Sequence, residues 1–208
     1  EAANVMITQV YHLGNEKWIE ITNISASTIL ANSVKIHLFK DKIGDQTNIA
    51  PNASYILTTP LLAGKSVLFR NSSNTLTPEL VTGRTIVDND ALTDLDDTIN
   101  DIIILSASNG VYSWDHRYDV VSNVTNNTSV VRIDESLTTN KDYNANDWVV
   151  FIDDAITPFQ LVGETDVTGT KRHPQDPLIS EITSSNVESN TLLGLHRIDI
   201  TTSTNSNN

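Results

Sequence analysis

Lys17-Trp18-Ile19-Glu20-Ile21-Thr22-Asn23-Ile24 alternates with a period of two. Ile19, Ile21 and Asn23 face one way; Trp18, Glu20, Thr22 and Ile24 face the other. That period, with β-branched and aromatic residues, predicts a strand with one face in a core. Just before it, 12–16 reads as a turn and 5–11 as another strand, so the chain opens with a hairpin. Further strands are expected at 34–40, 54–58, 66–70, 102–105, 111–118, 130–133 and 148–152. In 34–40 the inward residues are Val34, Ile36 and Leu38, which leaves His37 on the polar side beside Lys35 as a surface residue. Ile102-Ile103-Ile104-Leu105 is a continuous apolar run, expected in a strand buried on both faces. Polar loops are expected at 25–32, 41–52, 71–77 and 122–128. About eight or nine strands broken by frequent turns describe an all-β sandwich.

Composition agrees. Asn, Thr, Ser and Asp are abundant while Ala, Glu, Lys and Met are scarce in the 208 residues, a balance that favours strands and turns over helices. The net charge of −13 repels phosphate backbones and anionic lipid heads, so neither nucleic-acid binding nor membrane insertion is expected. The absence of cysteine removes disulfides, thiol catalysis and Cys-ligated zinc together. No apolar run reaches membrane-spanning length, and Glu1 standing so close to the first strand fits a processed N-terminus or a shortened chain.

The candidate chemistry is thin. Residues 88–97 hold the densest run of acids, and Asp88, Asp90, Asp94 and Asp96 are the candidate Ca²⁺ ligands, because carboxylates two residues apart on a loop can share one ion. The EF-hand glycine and terminal glutamate are missing there, so a solvated loop is the competing reading. Asp115-His116-Arg117 and His196-Arg197 lack a nucleophile with a held base, and no G-x-S-x-G or H-E-x-x-H occurs. Gly64-Lys65-Ser66 has no upstream glycine and no following helix, so it is not a phosphate loop. No enzyme is expected. Trp18, Trp114, Trp148 and Tyr55 read as core residues first and as a sugar-stacking platform second. Beyond Asp154 the periodicity fades. Residues 1–154 are read as the sandwich and 155–208 as an extension that packs on it or on a neighbouring subunit, since about fifty residues bury too little alone. Leu178, Ile179, Ile182, Leu192, Leu193, Leu195, Ile198 and Ile200 are its candidate interaction residues, and the polar tail 201–208 is expected to be disordered.

Several segments, in order, resemble one family. Val5-Met6-Ile7-Thr8-Gln9-Val10 followed by Trp18-Ile19-Glu20-Ile21-Thr22-Asn23 resembles the opening of lamin tail domains. Leu62-Ala63-Gly64-Lys65-Ser66-Val67-Leu68 resembles that family's central turn and strand. Asp101 to Leu105 with Ser108-Asn109-Gly110-Val111-Tyr112-Ser113-Trp114 resembles its next hairpin, and Ser129-Val130-Val131-Arg132 and Trp148 resemble its late landmarks. The likeness covers residues 4–153. It implies an immunoglobulin-like antiparallel β-sandwich and an exported, often cell-surface bacterial setting in which the domain is not catalytic. Two departures stand out: no heptad pattern supports a coiled-coil rod, and 155–208 exceeds the minimal domain. The expected role is a structural or interaction protein of the cell surface. Its expected partners are itself or other surface proteins, through sheet edges and the extension. The alternative is an adhesion module for glycan or Ca²⁺, with no other cofactor.

Overall fold

The computed structural model describes residues 4–73, 85–96, 98–107, 112–133, 136 and 138–152. The extension 155–208 with its candidate interaction residues, His196-Arg197 and Asp97 lie outside the described residues.

Ten strands are described: β1 (Val5–Leu13), β2 (Glu16–Asn23), β3 (Lys35–Phe39), β4 (Ala53–Ile56), β5 (Ser66–Arg70), β6 (Thr85–Asp88), β7 (Asp101–Ser106), β8 (Arg117–Val124), β9 (Thr128–Arg132) and β10 (Trp148–Ile152). They form a six-stranded sheet, β10-β9-β1-β2-β5-β6, and a four-stranded sheet, β4-β3-β7-β8. Every pair is antiparallel except β5 with β6. The protein is a β-sandwich whose main core lies between the sheets. Val5, Ile7, Val10, Ile19, Ile21, Val67 and Phe69 from one sheet meet Ile36, Leu38, Ile103, Leu105 and Val121 from the other.

The opening hairpin forms as its alternation predicts. Gly14, at φ 55°, supplies the positive φ of a two-residue turn between Leu13 and Glu16. β1 departs from a strict period of two. Its register slips between Ile7 and Gln9, so Thr8 is an extra residue. That bulge keeps Ile7 and Val10, three apart, on the same core face.

The structure revises several expectations. β2 is buried on both faces, with Trp18, Glu20 and Thr22 as inaccessible as Ile19 and Ile21. β6 forms inside a segment without an expected strand, and it ends on the first of the candidate acids, Asp88. The strand after β7 begins at Arg117 rather than near 111, because Trp114–His116 is a 3-10 turn that folds the indole back over the sheet. Residues 122–124 of the expected loop 122–128 belong to β8. The apolar pair that faces β7 is Val120 and Val121, opposite Ile104 and Ile103.

Candidate functional site

The outer face of the four-stranded sheet carries its own apolar layer of Phe39, Ile102, Ile104 and Val120, closed by Trp114. Phe39 meets the Trp114 ring edge-on at 5.8 Å. Arg117, the first residue of β8, stacks its guanidinium 4.1 Å from the centre of the same ring. It donates from Nη1 to the Trp114 carbonyl (2.8 Å), from Nε to the Lys141 carbonyl (2.7 Å) and from Nη2 to Asp142 Oδ1 (3.1 Å). One side chain thus fastens the 3-10 turn and the loop before β10 to the edge of the sheet.

Between these parts lies a cleft of about 340 Å³ lined by Asp45, Trp114, Arg117, Asn123, Asp142 and Tyr143, among others. Asp45 accepts from the Thr47 hydroxyl (2.5 Å) and N–H (2.7 Å). Those bonds hold its carboxyl below the usual range, and the Arg117 charge and the Trp114 indole N–H add to the effect. Two carboxylates, Asp45 and Asp142, face two cations, Arg117 and Lys141, so the cleft is charge-balanced and rich in hydrogen-bonding groups. Such a lining suits a neutral, hydroxyl-rich ligand better than an ion. Arg117 covers one face of the Trp114 ring, and the residue as a whole is buried, so little of the indole is open to such a ligand.

A second constellation lies between the sheets. Asp119 on β8 and Arg132 on β9 have side chains 0% and 1% exposed. Arg132 Nη1 donates to both Asp119 oxygens (2.9 and 2.8 Å) and to the Ile7 carbonyl (3.2 Å), and its Nε donates to Ser136 Oγ (3.0 Å). Asp119 also accepts the N–H groups of Ile7 (2.8 Å) and Asn140 (3.1 Å). The arrangement follows from the bulge. β1 pairs with β9 only from Gln9 onward, so Ile7 turns to the buried ion pair for backbone partners. Burial pushes the Asp119 carboxyl up, while Arg132 and the two N–H donors pull it back. Arg132 also lies 4.8 Å from the centre of the Trp148 ring.

His37 is 1% exposed, which corrects its assignment as a surface residue. Its Nδ1 meets Ser54 Oγ at 2.6 Å and its Nε2 meets Ser106 Oγ at 2.9 Å, a tie across β4, β3 and β7. Desolvation, with the nearby Lys35 charge, lowers its pKa to about 4. Because this lies below the unfolded value of 6.5, the unfolded chain binds a proton between those limits that the folded chain refuses. The stability due to neutral His37 is complete above about pH 6.5 and drains away as the pH falls toward 4. Asp101 has the opposite sign. Burial raises it to about 6, although the N–H groups of Asp41 and Asp96 pull it down, so its contribution falls as the pH rises from 3.8 to 6. Subtracting the profile of His37→Asn from that of the wild type isolates the histidine. In urea titrations the difference shrinks by up to about 1.4 kcal/mol per pH unit from 6.5 down to 4. A difference independent of pH overturns this account.

The candidate calcium ligands are dispersed. Asp88 pairs with Arg70 Nε, and Asp90 accepts Ser72 N–H (2.7 Å) and Oγ (2.6 Å). Asp94 takes Lys40 Nζ (2.8 Å), and Asp96 caps the turn through the N–H groups of Thr98 (2.8 Å) and Ile99 (3.1 Å). Among the described residues, no three His, Asp or Glu side chains gather as a metal cage. The three tryptophans and Tyr55 are likewise separated: Trp18 belongs to one apolar cluster, Trp114 to another, and Trp148 and Tyr55 to the main core.

Sequence reasoning passed over Asp45, Asp119 and the cleft. The one available signal was Asp119 standing before Val120-Val121, a charge in an apolar neighbourhood that called for a cation. No protein-family model and no curated protein matches this chain.

Proposed function

We propose that the chain is a non-catalytic, immunoglobulin-like module of the lamin-tail kind, exported to a bacterial cell surface, where it assembles with copies of itself or with neighbouring surface proteins. One observation carries the non-catalytic part. Active sites gather groups with displaced pKa values in a cleft. Here His37, Asp101 and Asp119, which burial displaces, are tied to strand and turn partners outside the described cleft, and Asp45 within it is lowered chiefly by bonds to its own turn at Thr47. A histidine held at about 4 is also a weak base at neutral pH, so the short Ser54–His37 contact supports a structural tie. Assembly is supported by the sheet margins. Among the described residues β10 is paired on one side only, by β9, and its Val150 is 53% exposed, which suits strand addition by a neighbour. Light scattering in physiological salt tests this: a defined oligomer or ordered polymer is expected, and a particle of 22.9 kDa overturns self-assembly.

The charge-balanced cleft favours a second reading, a glycan-binding adhesion module, with Ca²⁺ at Asp88, Asp90, Asp94 and Asp96 as its metal variant. Retention on polysaccharide columns that is lost in Asn123→Ala, or a rise in melting temperature with CaCl₂, would support it. Neither effect appearing removes it.

A further inference from the structure

The centre of the outer face of the six-stranded sheet is hidden, although the four-stranded sheet packs on the opposite side. Met6, Tyr11, Trp18, Thr22, Leu68 and Ser129 project from it and are between 0 and 3% exposed. Among the described residues, the apolar cluster there, Tyr11, Trp18 and Leu68 with Leu13 and Ile86 beside them, is drawn from strands of that sheet alone. Beside it runs a polar row. Thr8 Oγ1 donates to Glu20 and meets Thr22 Oγ1 at 2.9 Å, which meets Ser66 Oγ at 2.7 Å. The Gln9 amide, the Trp18 indole N–H and the Ser129 hydroxyl, all fully buried, have no hydrogen-bond partner among the described residues. A face this dry demands a covering layer, and these three groups demand that the layer carry donors and acceptors as well as apolar side chains.

We propose that residues 153–208 of the same chain dock on this face and form that layer. The inference rests on the face itself and is independent of the assembly reading. Three considerations select this occupant. The segment follows directly from β10, which lies at the margin of this sheet. The sheet is about 24 Å wide at about 4.8 Å per strand spacing, and 56 residues of chain exceed that reach several times over. The composition also matches the face: Leu178, Ile179, Ile182, Leu192, Leu195 and Ile198 are set among Ser, Thr and Asn. The other long stretch of chain, 74–84, joins β5 to β6. It is tethered at both ends to the far side of the sheet from β9, where Ser129 stands.

Met6 makes the test simple, because it is the only methionine in the chain and its neighbours Val5 and Ile7 point into the main core. The full chain is prepared with photo-methionine in its place, in light and in heavy isotopic form. The two are mixed, irradiated and digested for mass spectrometry. The expected result is cross-links from Met6 to peptides of 153–208 within one isotopic species. Light–heavy cross-links would make a second copy the cover. Cross-links to 74–84, or only to strands of the sheet itself, also overturn the proposal. On the unmodified full chain, Met6 is expected to resist peroxide equally at every protein concentration. Protection that disappears on dilution overturns the intrachain placement.

Discussion

Arg132→Met lowers the unfolding free energy by about 3–5 kcal/mol, the usual loss when one partner of a buried ion pair is removed. The cause is what remains. Asp119 keeps its place between the sheets, 0% exposed, with two backbone N–H donors and no cation. The Ile7 carbonyl at the bulge loses its partner, and Trp148 loses the guanidinium over its ring. Against a typical domain stability of about 5–15 kcal/mol this is a large share, so the variant melts far below the wild type. Removing both charges, in Asp119→Leu with Arg132→Met, restores part of the loss, because an apolar pair of similar volume needs no compensation. Urea unfolding of the three chains checks both statements. A loss below about 1 kcal/mol in the single variant would show that the pair is not the tie the geometry describes.

Phe69→Ala costs a comparable amount, about 3–5 kcal/mol, through a different mechanism. Phe69 is inaccessible in β5 and meets Tyr55 of β4 edge-on at 5.3 Å, so its ring bridges the two sheets. Truncation removes the ring from the middle of the main core, and the strands on either side are held by their ladders and cannot collapse into the space. Phe69→Leu, which keeps most of the volume, loses far less. Equal losses for Ala and Leu would point to the aromatic contact rather than to the cavity.

The two variants separate what was legible in the chain from what was not. Phe69 lies in Ser66–Arg70, a strand evident from its apolar content. The opening hairpin, β3, β5, the doubly buried β7 and β10 were evident for the same reason: apolar spacing is local, and a period of two survives translation into structure. The 3-10 turn at Trp114 and the parallel strand β6 were not, since each depends at least in part on contacts with distant chain, Phe39 for the first and β5 for the second. Trp114 turns back because Phe39 and Arg117 receive it, and β6 forms because β5 offers a free edge.

The candidate site divides the same way. The acids at 88–96 were conspicuous as a run, yet each is engaged by a different partner, because spacing along a chain does not specify where side chains point. Trp148 was marked as a core residue and by resemblance, and Arg132 by resemblance alone. Asp119 was not marked, and neither was the cleft, whose lining comes from segments as distant as Asp45 and Tyr143.

What the amino-acid order determined by itself is the class of the molecule: all-β, acidic, without thiol chemistry, with strands wherever apolar residues alternate or run together. Only the tertiary structure decided how strand faces are used. The extra residue at Thr8 returns Val10 to the core and leaves Ile7, which pairs with Ile21 of β2, without a partner on the β9 side, a vacancy in hydrogen bonding that the buried Asp119–Arg132 pair fills. The physical reason is that a backbone group's partner can lie 112 residues away, as Asp119 does from Ile7, and a charge's counter-charge on another strand of the other sheet, where no local pattern announces them.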